Sequence, residues 1–316
     1  MTRLIAVVGA TGAQGGGLVR AILADKGSDF AVRAITRNPQ AEKAKQLAAL
    51  GAEVVAADLD DTPSLRRAFS GADAAFCVTN FWEHMSAEKE MAQAHSLAHA
   101  ASQADVGHVI WSTLEDTRQR VPLEDARMPT LRGQYKVPHF DAKGASDHFF
   151  TDSGVPTTLL RSTFYWDNLI HFGMGPRRNP QGKLVFVLPM ANERLAGIAA
   201  EDIGKCALGI LKRGREFIGK AVGIAGELLT GMQMAEQLGR ALEQEITYDY
   251  VPPEIYRTFP FPGADDIANM FQYYRDFASE FCASRDPAFS RQLNPELQNF
   301  ATWLARNRSR IPVPAA

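Results

Sequence analysis

The feature that most constrains this chain is a glycine loop set between an apolar run and a helical pattern. Leu4–Val8 is a short β-rich run, and Gly9-Ala10-Thr11-Gly12-Ala13-Gln14-Gly15 follows it directly as GxxGxxG. Leu18, Val19, Ile22 and Leu23 then recur at helical spacing. Glycines permit a tight turn and a close approach of backbone to a pyrophosphate. The helix that follows offers free N–H groups and a positive dipole end to that anion. A plain tight turn is the alternative for any glycine-rich stretch. The strand-to-helix setting instead predicts a dinucleotide site, with Gly9, Thr11, Gly12, Ala13, Gln14 and Gly15 around the phosphates.

The rest of the first half continues the alternation. Apolar runs at Ala31–Ile35, Glu53–Ala57, Ala74–Val78, Val106–Trp111 and Val155–Leu160 read as strands. Helical patterns fall between them at 40–50, stopped by Gly51, at Pro63–Phe69 and at 86–104. Such alternation predicts an α/β fold, a Rossmann-type doubly wound parallel sheet covered on both faces. Residues 114–138, with Pro122, Pro129 and Pro138, break the rhythm and read as a long surface loop. A helix opens at His139-Phe140-Asp141-Ala142-Lys143-Gly144 and is expected to run to Ser153, stopped by Gly154.

The second half is more mixed. Strands are expected at Leu184–Leu188, Val222–Ala225 and Ile246–Val251. Thr230 with Gln233 is a capping-box pattern for a helix reaching Leu242. Pro262–Phe277 reads as an aromatic-rich helix, and Asn294-Pro295-Glu296 as the N-terminus of the last one. The expected division is a cofactor-binding domain over 1–160 and a smaller α/β substrate- or partner-binding domain over 161–316, some segments of which return to the sheet.

Composition narrows the class. A formal net charge of -2 gives nothing that attracts nucleic acid by bulk charge. The first apolar run is too short for a signal peptide, and no window approaches the ~18 apolar residues of a membrane helix. Cys77, Cys206 and Cys282 are odd in number and widely spaced, which fits a reducing compartment and a cytoplasmic protein.

At the end of the second strand an acid would grip an adenosine ribose, but the residues are Ile35-Thr36-Arg37-Asn38-Pro39. Arg37 suits a 2′-phosphate, so NADP(H) is expected over NAD(H); a solvated arginine is the alternative. Asp58 and Leu59 follow the third strand, where the adenine would lie. Thr79, Asn80 and Phe81 end the fourth, across whose carboxyl end a ligand would pass. His95 and His99 share a helix face, yet HSLAH lacks the glutamate of a zinc helix, so packing is expected and no metal. Phe261, Phe271, Tyr273, Tyr274 and Phe277 are expected to be core, or else the rim of a pocket. Cys77, in a strand, is expected to be buried rather than a redox thiol.

GATGAQGG, TRNP after the second strand, GAEVV-AADLDD, VTNFWE, HFDAKG and the later FPGADDIANMF together resemble the NmrA-like family of atypical short-chain dehydrogenases/reductases. The resemblance runs through residues 3–170 and returns near 261–271. It implies a Rossmann domain, a smaller C-terminal domain and bound NADP(H). It also implies that Lys143 bonds the nicotinamide ribose and that Tyr165 to Asn168 lie near the nicotinamide. Typical short-chain dehydrogenases carry a Ser, Tyr and Lys set. Here Ser112 and Thr113 stand at the serine position and Lys143 at the lysine, while His139 stands where the tyrosine would be. Two readings follow. NADP(H) is either a ligand whose occupancy a sensor or regulator reports to a protein partner, which the missing tyrosine favours slightly, or the cofactor of a reductase of small carbonyl, quinone or imine acceptors. In the second, the catalytic set would be Lys143, Ser112, Thr113 and either His139 or Tyr165. A cofactor-free scaffold for a transcription factor is a third reading, against which the intact glycine loop and Arg37 argue. Oligomeric state stays open.

Overall fold

The computed structural model describes residues 2–314. The strands β1 (Arg3–Val7), β2 (Phe30–Thr36), β3 (Glu53–Ala56), β4 (Ala74–Cys77), β5 (Val109–Thr113) and β6 (Thr157–Arg161) alternate with helices. Those helices are α1 (Ala13–Ala24), α2 (Glu42–Ala49), α3 (Thr62–Phe69), α4 (Phe81–His84), α5 (Ala87–Gln103), α6 (Pro138–Ala145) and α7 (Asp147–Thr151). The large sheet has seven strands in the order Ala221–Gly223, β6, β5, β4, β1, β2, β3. Every pair in it is parallel. The chain reverses direction across the sheet between β1 and β4, so a crevice opens at their carboxyl ends.

Burial follows the two-residue period of a strand. Ile5 and Val7 pack with Leu18, Val19 and Ile22 of α1 and with Ile203, Ala207 and Ile210 of the helix Ala200–Lys212. Ala6 and Val8 face the other way, onto Leu65 and Phe69 of α3 and Leu97 and Ala101 of α5. α1 lies unusually close to the Ala200–Lys212 helix because Gly17 and Gly204 meet there. A Cβ on Gly17 would stand 2.5 Å from the Glu201 carbonyl oxygen.

The second half adds two three-stranded sheets. One joins Phe164–Tyr165, Arg194–Ile198 and Glu227–Thr230; the other joins Arg177–Arg178, Leu184–Leu188 and Thr247–Tyr250. Their core is aromatic: Phe271, Tyr273 and Tyr274 are buried, with Phe261 and Phe277 packed against them. Ala221–Gly223 pairs with β6 and Ala200–Lys212 covers α1, so chain beyond residue 160 also builds the large-sheet layer.

Three expectations need correction. Residues 114–138 are not merely a surface loop: Val121, Met128 and Val137 join the aromatic core, and Lys136, 1% exposed, donates to the carbonyls of Asp125 and Met128. The helix opened at His139 breaks at Ser146 into α6 and α7, although Gly154, at φ +77°, ends the segment as expected. Asn294-Pro295 does not open the last helix. Asn294 accepts from the Glu296 N–H as a turn former, and Asn299 caps the helix Phe300–Asn307. Two asparagines five residues apart are equivalent caps by local rules, and Asn294 is already tied to buried Asp202. The capping box at Thr230 and Gln233 forms as read. No helix among the described residues is long and apolar enough to cross a membrane.

Candidate dinucleotide and lysine site

The loop from β1 to α1 is shaped by what a side chain would hit. Gly9 has φ +65°, in the left-handed region that favours glycine. A Cβ on Gly15 would stand 2.5 Å from the Gly9 carbonyl oxygen, so only glycine lets α1 start this close to the loop. Gly12 caps α1 without any capping side chain, and Gly12 and Ala13 are exposed. The first N–H groups of α1 therefore face the crevice with no intrahelical partner, which is the donor set an anion takes. Thr11 is half-buried beside them.

Gln14, in the first turn of α1, ties this loop to the strand ends. Its amide nitrogen donates to the Tyr165 hydroxyl at 2.7 Å, and its amide oxygen accepts from Ser112 Oγ at 2.7 Å. Ser162 Oγ lies 3.2 Å from the same phenol. Burial pushes the Tyr165 phenol up, against the opposing hydrogen bonds from Ser162 and Gln14, so it stays protonated. Because it accepts from Gln14, its own proton is directed at Ser162 or at a ligand.

Lys143, on α6, reaches back to the end of β4. Its ammonium donates to Thr79 Oγ1 at 2.7 Å and pairs with Glu90 Oε1 at 2.8 Å. Thr79 Oγ1 in turn donates to Glu90 Oε1 at 2.6 Å. The Lys143 ammonium also lies 5.2 Å from the Trp111 ring centre.

At the adenosine end, Arg37 is exposed and forms a two-pronged ion pair with Glu83 of α4, one contact being 3.1 Å. Asn38 accepts from the Gln40 N–H and is a turn former. Asp58 is exposed and accepts from the Asp60 N–H, while Leu59 packs on the core face of α3 and α5. Asp61, three residues beyond Asp58, caps α3 by accepting from the Ser64 N–H. Asn80 precedes α4 without a capping bond, and Phe81 is buried with its ring edge-on to Trp82. Asn168 is half-buried at the start of the short helix Asn168–His171.

Two members of the expected catalytic set are bonded elsewhere, although the Thr113 hydroxyl also reaches the Lys143 carbonyl at 3.3 Å. Thr113 neighbours Ser112 but points through the opposite face of the sheet, as successive strand residues must. Its hydroxyl donates to Asp147 at 2.5 Å, and Trp111 Nε1 donates to the same oxygen at 3.0 Å. Burial pushes the Asp147 carboxyl up to about 6, opposed by Thr113, Arg161 and Trp111. His139 is buried and spends Nδ1 on Asp266 at 2.6 Å, with its ring 4.8 Å from that of Trp82. Its partner comes from the C-terminal half, which a one-turn helical argument does not reach. Ser112 and Tyr165, by contrast, are joined to the glycine loop through Gln14, and Lys143 to the end of β4 through Thr79.

The acids that complete the site escaped the sequence reading. Glu83 and Glu90 lie on helices read only as Ala-rich or as strand ends. A signal did exist for Glu90: it falls on the stripe Ala87, Glu90, Ala94, Leu97, Ala98, Ala101, which is the buried face of α5. An acid on such a stripe demands a cation or donor beside it.

The residues present fit a phosphorylated dinucleotide: a glycine cradle that a Cβ would fill, uncapped helix N–H groups, an arginine at the second strand and an ammonium at the fourth. A family model described as the NmrA-like family matches residues 1–304. The NmrA-like family domain-containing oxidoreductase hkm9 of Aspergillus hancockii is 40% identical over 286 residues, 85% of this chain and 82% of that protein. Among solved structures, NmrA, a negative transcriptional regulator, in complex with NADP superposes with a TM-score of 0.77 at 23% identity, covering 96% of this chain and 95% of its own. The Citrobacter sp. triphenylmethane reductase complexed with NADP(H) superposes with a TM-score of 0.73 at 20% identity, covering 96% and 99%. At these identities the two structures speak for the shared fold.

Proposed function

The chain belongs to the NmrA-like family, and from that premise we propose that it binds NADP(H) and acts as a reductase of small carbonyl, quinone or imine acceptors. The observation that carries the reading is the convergence of the glycine cradle, Arg37 and the Lys143 ammonium along one line of strand ends. The relative at 40% identity is named an oxidoreductase, and two neighbours in fold were solved with NADP or NADP(H).

Bound NADPH supplies the hydride. The chain supplies position and a proton. The first N–H groups of α1 receive the pyrophosphate, Arg37 the 2′-phosphate, and Lys143 the nicotinamide ribose. An acceptor oxygen or nitrogen that gains charge needs a donor nearby. His139 is committed to Asp266, so Lys143 and the protonated Tyr165 phenol are the groups for that role, with Ser112 and Gln14 orienting the phenol.

A second reading has its own observation. Nothing replaces the missing tyrosine on α6, because the side chain at that position is locked into the second half of the chain. A protein that keeps NADP(H) without turning it over would serve as a redox sensor, its occupancy read by a protein partner. Both readings place the protein in the cytoplasm, consistent with three free, buried cysteines.

The test is NADPH binding by fluorescence, followed by NADPH oxidation against aldehydes, ketones, quinones and imines. Turnover lost in Lys143→Ala and reduced in Tyr165→Phe supports the reductase. Binding without turnover across the panel overturns it in favour of the sensor, and no binding at all sinks both.

A further inference from the structure

We propose that Glu90 is the positioning residue of the cofactor lysine: it fixes the Lys143 ammonium before any dinucleotide arrives. The inference rests on the reading that Lys143 meets the nicotinamide ribose.

Glu90 has no solvent exposure and sits one turn into α5 on its buried face. A lone carboxylate there would be heavily penalised, so its partners define its state. Oε1 takes the Lys143 ammonium at 2.8 Å and the Thr79 hydroxyl at 2.6 Å. Oε2 has no hydrogen bond, and its neighbour is His84 Nε2 at 3.5 Å. The Ser86 N–H donates to His84 Nδ1 at 3.1 Å, which makes Nδ1 an acceptor and puts the imidazole proton on Nε2, facing Glu90. His84 Nε2 thus faces the unbonded oxygen without bonding it, and among the described residues the ammonium that pairs with Oε1 is that of Lys143.

The lysine has three protons to place. Two go to Glu90 Oε1 and Thr79 Oγ1; the third reaches the Thr79 carbonyl at 3.3 Å, the longest of the three contacts. That third N–H is the one a ribose hydroxyl would take. A flexible side chain is thus ordered in the free protein, and less freedom is lost when ligand binds. Because the ribose next to nicotinamide is common to NADPH and NADH, Glu90 raises affinity for both, unlike Arg37.

The experiment compares wild type, Glu90→Gln, Lys143→Met and the double variant by fluorescence titration with NADPH and with NADH. Trinitrophenylation of Lys143 by trinitrobenzenesulfonate, in which the neutral amine displaces sulfite from the ring, read by mass spectrometry, reports on the lysine without any nucleotide. Glu90→Gln should weaken both nucleotides by about tenfold and speed Lys143 labelling. In the Lys143→Met background the same change should cost nothing further, and it should recover stability by removing an unpaired buried charge. Wild-type affinity and labelling in Glu90→Gln would overturn the proposal. So would an equal loss of affinity in the Lys143→Met background, which would mark a structural role only. Wild type binding neither nucleotide would instead sink the dinucleotide reading; labelling unchanged in Glu90→Gln would then dispose of the positioning role independently.

Discussion

His139 and Asp266 stand 127 residues apart in sequence and 2.6 Å apart in space, joining α6 to the helix Ala264–Asp276. Asp266 also accepts from the His139 backbone N–H at 3.3 Å, so one carboxylate holds both the ring and the start of the helix. The histidine that replaces a tyrosine is thereby a structural tie between the two halves of the chain.

Asp266→Ala should lower stability by about 2 kcal/mol, the cost of leaving a buried ring and an N–H without their charged acceptor. NADPH affinity should be unchanged, since His139 spends its ring nitrogen Nδ1 on Asp266. Denaturant melts alongside nucleotide titration would decide it, and a large loss of affinity with stability intact would contradict the assignment.

Gly15→Ala and Gly17→Ala separate the cradle from the helix contact. Each added methyl meets a backbone carbonyl oxygen at 2.5 Å, Gly9's for the first and Glu201's for the second. Both should lose about 1–3 kcal/mol of stability through overpacking. Only Gly15→Ala should also lose NADPH binding, because it moves the loop against α1. Equal affinities in the two variants would refute the division.

Arg37→Ala should weaken NADPH by about 10- to 100-fold, the range of one or two charge-assisted bonds, and leave NADH unaffected. Glu83 occupies the same guanidinium, but both side chains are substantially exposed, and such a pair is worth about 0–1 kcal/mol. Glu83→Gln should therefore strengthen NADPH by no more than about fivefold. An arginine variant that weakens NADH equally would show that Arg37 meets something other than the 2′-phosphate.

Asp147 gives a pH dependence with a definite sign. Burial raises its folded carboxyl to about 6 from an ordinary value of 3.8, so between those values the folded chain holds a proton that the unfolded chain has lost. Stability from this group is present below pH 3.8, falls as pH rises and is gone above about 6. At neutral pH the penalty is on the order of 3 kcal/mol. Asp147→Asn keeps an oxygen for Thr113 and Trp111, so it should raise stability at pH 7 and flatten the slope between pH 4 and 6 relative to wild type. A variant less stable than wild type at pH 7 would mean that Arg161 compensates the charge more fully than this sign allows.

The parts of the site that were legible in the sequence follow short-range rules. Gly9, Gly12 and Gly15 have their spacing fixed by one turn of chain, and Ile5 against Ala6 sort onto opposite sheet faces by strand period. Arg37 was singled out because it follows the second strand at a set distance, and Lys143 because the resemblance to the family puts a lysine there. Ser112 and Thr113 both end β5, as read, but adjacency in sequence puts two strand residues on different faces. The break at Ser146 and the cap at Asn299 were missed because several residues there satisfy the same local pattern.

The sequence by itself thus determined the parallel sheet and the glycine loop between its first strand and helix, since neighbours two to four residues apart are fixed by backbone geometry. Only the tertiary structure decided which acids answer the cations Arg37 and Lys143 and the buried rings. Glu83 meets Arg37 from 46 residues away, Glu90 meets Lys143 across two elements, and Asp266 reaches His139 from the far half of the chain. Glu90 and Asp266, charged groups in a dry interior, must find partners wherever the folded path brings one within about 3 Å, and for the exposed Glu83–Arg37 pair as for these that path is set by how whole helices pack rather than by residues nearby in sequence.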